Sequence, residues 1–396
     1  MLFLELWFWI FVAATIPVYW VCPQRLKLYW LLLASVVFQY HFAGPAGMAP
    51  IVALAVFTFA VGLAVSDGRR GWLFTVAWIS LVGALAFYKY GNFLLKNGTA
   101  LLASAHLALP PWLANWKQPA APLGISFFTF EFVHYLYEVR VKRRPPVRNP
   151  LHFTLFGVFF PCLAAGPIKR FPDFVPQLLE LRNPEPAAVW PAAQRIIRGL
   201  FKKICIADLL VEYIKVFDAL PEFNGPIVIL VAVLQGFRIY YDFAGYSDIA
   251  IGLAQLVNLR VPENFNRPYF ATSLQEFWRR WHMSLSSWIR DYIYIPLGGN
   301  RAHQAFNLLA AMVLCGLWHG AAWNFALWGV YHGTGMVLEA GVRRLRPSLF
   351  GTSLPHRVLG WLICYTYVTY GWLIFFYPIG TVYQMTKGLL RWGYIG

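Results

Sequence analysis

The chain is short of charge. Asp, Glu, Lys and Arg make up 13% of its 396 residues, about half the roughly 25% of an ordinary soluble domain. That deficit leaves too little polar surface to wrap a globule of this size in water, so lipid must be the solvent for much of the exterior. Acidic residues are the scarcer sign, 17 against 33 basic ones, for a formal net charge of +16. Excess Lys and Arg in a membrane protein gathers in cytoplasmic loops that face anionic lipid. Here the basic residues lie between apolar runs and form no separate domain, which argues against a nucleic-acid partner. Cysteine is sparse and scattered. Cys22, Cys162, Cys205, Cys315 and Cys364 form no C-x-x-C, so neither a disulfide framework nor a metal site is expected. Also missing are G-x-S-x-G, a Walker motif, H-E-x-x-H and a dinucleotide fingerprint. Their absence leaves a Ser–His–Asp hydrolase without support. The N-terminus lacks a basic n-region and a small-residue cleavage site, so Met1–Val21 reads as a retained first helix.

What is abundant is apolar length, with 59% hydrophobic and 18% aromatic residues. A spanning helix needs about 20 mostly apolar residues. Candidates run over 2–21, 26–42, 48–66, 71–95, 121–139, 151–168, 226–258, 304–318, 321–341 and 357–378. The stretch 195–216 is weaker, because Arg195, Arg198, Lys202 and Lys203 stand at its start. The expected fold is an all-α polytopic integral membrane protein of about 10–11 transmembrane helices, one domain over residues 1–396, since no long polar linker divides it. Arg25 and Lys27 follow the first candidate span, Arg69 and Arg70 the third, and Arg140, Lys142, Arg143, Arg144 and Arg148 the fifth. The loops between carry only Lys96 and Lys117. By the positive-inside rule the basic loops are cytoplasmic and the N-terminus extracytoplasmic.

Residues 273–292 read as an interfacial or re-entrant amphipathic helix rather than a plain span. Ser273 and Glu276 make a capping box, and Trp278, Trp281, Leu285, Trp288 and Tyr292 recur at helical spacing on one face. His282 falls at the edge of that face. Further on, Gly316-Leu-Trp-His319-Gly320 sets a histidine inside an apolar helix, between two glycines that let a neighbouring helix approach. Gly329-Val-Tyr-His332-Gly333 echoes it locally. An ionisable side chain at membrane depth usually faces a cavity or the bundle interior, so His319 is a candidate general base. A core histidine bonded to a backbone carbonyl is the plainer reading of the same residue. Arg238 and Asp242 are four apart and could pair on one helix face, in a structural role, whereas Asp248 has no evident local partner. His41, His106, His134, His152, His303 and His356 fall near ends, loops or the basic loop, where solvated or interfacial roles are expected.

Several strings then stand in order. They are Pro122-Leu-Gly-Ile-Ser-Phe-Phe-Thr-Phe130, Gly166-Pro-Ile-Lys-Arg-Phe171, Tyr241-Asp-Phe-Ala-Gly-Tyr-Ser247, Asn264-Phe-Asn-Arg-Pro268, Glu276-Phe-Trp-Arg-Arg-Trp-His-Met-Ser-Leu-Ser286, Asp291-Tyr-Ile-Tyr-Ile-Pro-Leu-Gly-Gly-Asn300 and Leu317-Trp-His-Gly-Ala-Ala-Trp-Asn324. Together they resemble the membrane-bound O-acyltransferase family, in the bacterial branch of alginate O-acetylation and of lipoteichoic acid D-alanylation. The resemblance implies a multi-helix fold with a central tunnel and an acyltransferase core over about residues 120–335. It makes His319 the catalytic histidine and His282 a second, tunnel-lining one that orients the receiving group. Trp281, Ser284, Asp291, Trp318, Asn324 and Asp248 are then expected to line the tunnel or bind substrate.

The implied activity moves an acyl group, expected to be acetyl, from a cytoplasmic thioester across the bacterial inner membrane. The end result is O-acetylation of an exported or cell-surface polysaccharide. The donor is expected to be acetyl-CoA or an acyl-carrier thioester, with no bound cofactor. Pro296-Leu-Gly-Gly-Asn-Arg301 looks like the alginate type, while the compact length looks more like the D-alanyl type, so D-alanyl transfer from a carrier protein is the alternative. A non-enzymatic transporter of lipid-linked sugars is a second, but paired repeats with broken helices at matching positions are not evident. A hydrated polysaccharide cannot enter an apolar bundle, and residues 96–120 are too few for a folded domain, which needs at least roughly 50. A separate extracytoplasmic acyltransferase partner is therefore expected.

Overall fold

The computed structural model describes residues 2–391 apart from 69, 108, 164, 165 and 221. Arg69 of the first basic loops thus lies outside the described residues. Helix dominates, and the described residues contain no strand. Two compact units form, Met1–Gln194 with Ala250–Val261, and Arg195–Ile249 with Pro262–Gly396.

The first unit opens with α1 (Leu6–Val21) and α2 (Lys27–Ala64). Two spans were expected where α2 stands, with a loop at 43–47. Instead the helix breaks at a single residue, Gly44, with φ 62. Pro45 explains why no longer loop is needed. A proline cannot donate the hydrogen bond that helix interior requires, but it fits the first turn of a new helix. Glycine before it supplies the left-handed turn at little steric cost. The next candidate span is also longer than expected: α3 (Gly71–Leu85) runs through a π-helical turn at Ala86–Tyr90 into α4 (Gly91–Ser104). The supposed loop 96–120 is therefore helix as far as Ser104.

At the core of this unit is α5 (Ile125–Arg140), with twelve of its sixteen residues buried. A helix apolar all round belongs inside a bundle. Its two internal charges follow suit. Glu131 pairs with Lys169 at 2.6 Å, both side chains nearly inaccessible, and Glu138 holds Arg144 of the basic loop at 2.8 Å. The short α6 (Pro150–Val158) starts on Asn149, whose side chain accepts from Leu151 N–H.

In the second unit, α7 (Pro186–Leu200), which contributes its last turns, passes through a π-helical stretch at Phe201–Asp208 into α8 (Leu209–Asp218). Then comes α9 (Gly225–Leu256), most of it in this unit. The expected helix over 273–292 is two helices, α10 (Leu274–Arg280) and α11 (Met283–Ile289), with His282 between them at φ 41. The chain closes with α12 (Gln304–His319), α13 (Trp323–Leu345), α14 (Leu354–Phe376) and α15 (Ile379–Gly388). The two glycine–histidine strings turn out to face one another. A Cβ on Gly316 would lie 2.2 Å from the Phe325 carbonyl oxygen, and one on Gly329 2.4 Å from that of Met312. Only glycine lets α12 and α13 approach this closely.

Among the described residues, four helical stretches are long and apolar enough to cross a membrane: Gln24–Ala64, Gly71–Ser104, Gly225–Leu256 and Leu354–Phe376. Leu6–Val21, Pro150–Cys162 and Gln304–His319 are shorter apolar helices.

Candidate active site

The site is set by the break between α10 and α11. Helix ends leave backbone groups without partners, and here one passing segment satisfies both ends. Asn266 N–H donates to Arg280 C=O at 3.0 Å, and Met283 N–H donates to Asn264 C=O at 2.9 Å. With both ends held, His282 can occupy the left-handed region, which histidine tolerates better than most residues. The N-terminus of α10 is capped as expected, Ser273 Oγ accepting from Glu276 N–H. Glu276 reaches back one residue further than a standard capping box, to Thr272 N–H and its hydroxyl. Burial opposes ionisation of this carboxyl, but those two bonds and Arg280 hold it below its ordinary value.

The apolar positions of the broken helix are all buried, so its periodicity marked the interior correctly. Their partners are protein. Trp278 packs edge-on against Trp328 at 5.6 Å between ring centroids, and Trp281 is tilted against Trp372 at 4.8 Å.

His282 is 2% exposed. Its Nδ1 lies 3.3 Å from Asn264 Oδ1, which also accepts from Ser284 Oγ at 2.6 Å. Asn264 Nδ2 donates to Ser247 Oγ on α9 at 2.9 Å. Its ring meets Phe243 at 4.5 Å and Trp318 at 6.0 Å, both in edge-type contacts. Trp318 in turn stands 4.8 Å from the ring of His319. His319 ends α12, half-buried, with Trp328 at 5.5 Å and Phe375 at 5.0 Å around it. The two histidines are close enough for the charge of one to act on the other. The result is an apolar, aromatic enclosure that holds two imidazoles, an amide and two hydroxyls, a donor-and-acceptor set suited to moving a proton. Among the described residues no group of three or more His, Cys, Asp or Glu is placed to hold a metal.

Of the residues singled out in the sequence, His282, His319, Trp318 and Ser284 come together here, with Trp281 behind them against Phe265 and Tyr240. Asn324 instead ties α13 to α14, donating to Phe375 C=O at 2.8 Å. Asp291 bonds Arg290 at 2.7 Å. Asp248, which looked alone, is held by Arg195 at 3.0 Å and Lys202 at 2.5 Å. The Arg238–Asp242 pair that the spacing allows does not form. Lys203, buried, takes Asp242 at 2.7 Å, and Arg238 donates to Gln235 while lying over the ring of Phe376. A buried ammonium has more to gain from a carboxylate than an exposed helix pair does. Asn264 and Ser247 were not singled out. Their only signal was membership of the strings Asn264-Phe-Asn-Arg-Pro268 and Tyr241–Ser247.

Known proteins give this arrangement a context. The profile of the membrane-bound O-acyltransferase family matches residues 71–379. The "Probable alginate O-acetylase AlgI" of Azotobacter vinelandii is 36% identical over 375 residues, 92% of this chain and 73% of that one. The "Peptidoglycan O-acetyltransferase" of Helicobacter pylori is 33% identical, over 87% of this chain and 70% of its own. The "Teichoic acid D-alanyltransferase" of Bacillus subtilis is 30% identical over 291 residues, 66% of this chain and 72% of its own. The chain thus belongs to the membrane-bound O-acyltransferase family and is a membrane acyltransferase.

Proposed function

We propose that the protein moves an acetyl group from a cytoplasmic thioester, acetyl-CoA, across the bacterial inner membrane for O-acetylation of an exported or cell-surface polysaccharide. The observation that carries this reading is that His282 and His319 flank one ring, that of Trp318, within an aromatic surround. In the reaction, a histidine nitrogen takes the proton of the receiving hydroxyl as its oxygen bonds to the acyl carbon. The C–S bond breaks, and the departing thiolate regains a proton from the histidine pair. A positioned base of this kind contributes about 10²–10⁴ in rate. The acetyl group, rather than D-alanine, is favoured because similarity to the two O-acetylating relatives covers 87–92% of the chain, against 66% for the D-alanyl relative. A separate extracytoplasmic transferase would receive the group and pass it to sugar hydroxyls.

Purified protein in liposomes, with radiolabelled acetyl-CoA inside, tests the donor. Labelled acetyl groups should reach an exterior acceptor, while a D-alanyl-loaded carrier protein should supply none. Transfer from the carrier alone would reverse the assignment, and efficient glycan acetylation without a second protein would remove the partner. Orientation is tested by Pro146→Cys and Ala120→Cys in a background without native cysteines. An impermeant thiol reagent applied to intact cells should label position 120 and spare 146, and the opposite pattern would invert the topology.

A further inference from the structure

The side chain of Asn264 has an orientation that fixes the proton on its neighbour. Asn264 is fully buried, and three polar atoms of it are engaged within one short stretch of chain and α9. The two ends of its amide can be told apart by bond length. The contact with Ser284 Oγ is 2.6 Å, within the O–H···O range and too short for a usual N–H···O bond, and that with Ser247 Oγ is 2.9 Å, a length an N–H donor accommodates. The atom facing Ser284 and His282 is therefore the amide oxygen. An amide oxygen offers only lone pairs. For His282 Nδ1 to bond it, the ring must bring the hydrogen, and in a neutral imidazole the other nitrogen is then a bare acceptor. That other nitrogen, Nε2, is buried and has no hydrogen-bond partner among the described residues. The ring packs against Phe243 on α9 and Trp318 on α12, and the titratable group acting on it is His319.

We infer that Asn264 is a positioning residue that locks His282 in the Nδ1–H tautomer, leaving Nε2 as the lone pair that accepts the hydrogen bond of the receiving hydroxyl and aims its oxygen. The inference rests on the reading that the two histidines form the acyl-transfer site, and it adds which nitrogen does the work. Held by Nε2, the hydroxyl oxygen bonds to the acyl carbon as its proton passes to the histidine pair, the C–S bond breaks, and the departing thiolate takes that proton back, so the reaction leaves His282 as it began. The role of Asn264 is to keep a ring that could otherwise flip or exchange tautomers from presenting an N–H where a lone pair is needed. This is orientation by the nitrogen that does not react.

Histidine ring ¹⁵N resonances of the purified full chain test the tautomer directly, with His282→Gln identifying the signal. The expected result is a protonated Nδ1 and a bare Nε2 at neutral pH, and a change of that pattern in Asn264→Leu. A protonated Nε2 in the wild type would overturn the inference. Consumption of acetyl-CoA tests the consequence. Asn264→Ala should lower the rate about 10-fold or more, and by nothing further when His282 is already Ala. Asn264→Asp keeps the shape and the acceptor, and its carboxylate stabilises the imidazolium. The acid limb of its rate profile should therefore move to higher pH, which a merely structural asparagine would not cause. An unmoved limb, or an Asn264→Ala loss that persists without His282, would refute the positioning role. Full activity of His282→Ala would instead strike the wider reading of the site and leave the tautomer to the resonances.

Discussion

Each compact unit buries a histidine beside other polar groups, and the two are treated in opposite ways. In the first unit His134 is wholly inaccessible on α5. Its Nδ1 meets the carbonyl of Phe130 one turn back at 3.1 Å, and its Nε2 accepts from Phe171 N–H at 3.0 Å. Both ring nitrogens are consumed by backbone, and Glu131 nearby is matched by Lys169. In the second unit His282 is equally deep, but one ring nitrogen is held by a side chain and the other is left open. Burial therefore does not separate a histidine closed by backbone on both nitrogens from one with a nitrogen left open. Leaving a buried acceptor unmade costs about 1–3 kcal/mol. A fold that closes His134 on both sides but leaves His282 half open keeps that cost at the candidate site, where in the proposed reaction a substrate hydroxyl relieves it.

The sharpest way to break this contrast is to remove each histidine. His319→Ala and His282→Ala should each lower acyl transfer by about 10²–10⁴ in protein that is well expressed and melts normally. The double variant should be little worse, because groups that act as one unit lose their effect together. Near-normal acylation by either single variant would take that residue out of the chemistry. His134→Leu should do the reverse. Phe171 N–H would lose its acceptor, costing about 1–3 kcal/mol of stability, while the protein that remains folded turns over at close to the normal rate. A fall in specific activity of the folded fraction as large as that of His319→Ala would place His134 in the reaction.

The closed pairing of the first unit can be opened deliberately. Lys169→Met leaves the Glu131 carboxylate buried without its ammonium, which typically costs about 3–5 kcal/mol. Combining it with Glu131→Gln should recover most of the loss, since a neutral pair in an apolar core is tolerated. Thermal melting in detergent measures both. An unchanged melting point for Lys169→Met would show that the carboxylate finds another partner, and that the first unit is not closed by this pair.

Much of the candidate site's geometry was legible in the sequence because its signals were local. His319 stood between Gly316 and Gly320, and the close approach of α13 is what those glycines permit. The aromatic positions from Trp278 to Tyr292 all lie inside, since period alone reports which side is buried. What periodicity could not report was the break at His282. The three-and-four spacing continues across it, and the groups that make the break possible, Asn264 and Asn266, sit well earlier in the chain. Distance in sequence hid the charges for the same reason. Asp248 finds Arg195, and Lys203 takes Asp242 from Arg238, pairings set by how α7 and its π-helical continuation lie along α9 within the second unit. His134 was placed near a solvated loop because it precedes a basic run. It lies two turns inside a helix that is buried all round.

The smallest expected effect comes from a third buried histidine, His332 on α13, and it decides what the contrast means. His332 is fully inaccessible and neither ring nitrogen has a hydrogen-bond partner among the described residues. Its neighbours are rings: Trp328 at 4.8 Å, Trp278 at 5.2 Å and Tyr367 at 5.9 Å. If an open nitrogen alone marked a reactive histidine, this one would qualify twice. It lacks the other half of the arrangement, a polar group that fixes which nitrogen carries the proton and where the free one points. On that reasoning it is a packing residue that carries an unrecovered polar cost. Leucine is similar in volume, apolar and a good helix former. Replacing an unpaired buried polar group by an apolar one of similar shape is close to neutral or stabilising. His332→Leu should therefore melt within about 1 kcal/mol of the wild type, or slightly above it, and keep its rate within roughly 2-fold. The melting point and the acyl-transfer rate of the same preparation measure both. Trp328 touches both His332 and His319, so a loss of rate at unchanged stability would mean that the aromatic wall transmits the position of one ring to the other. The pinned nitrogen would then no longer be what distinguishes His282, and openness by itself would be the mark of the site.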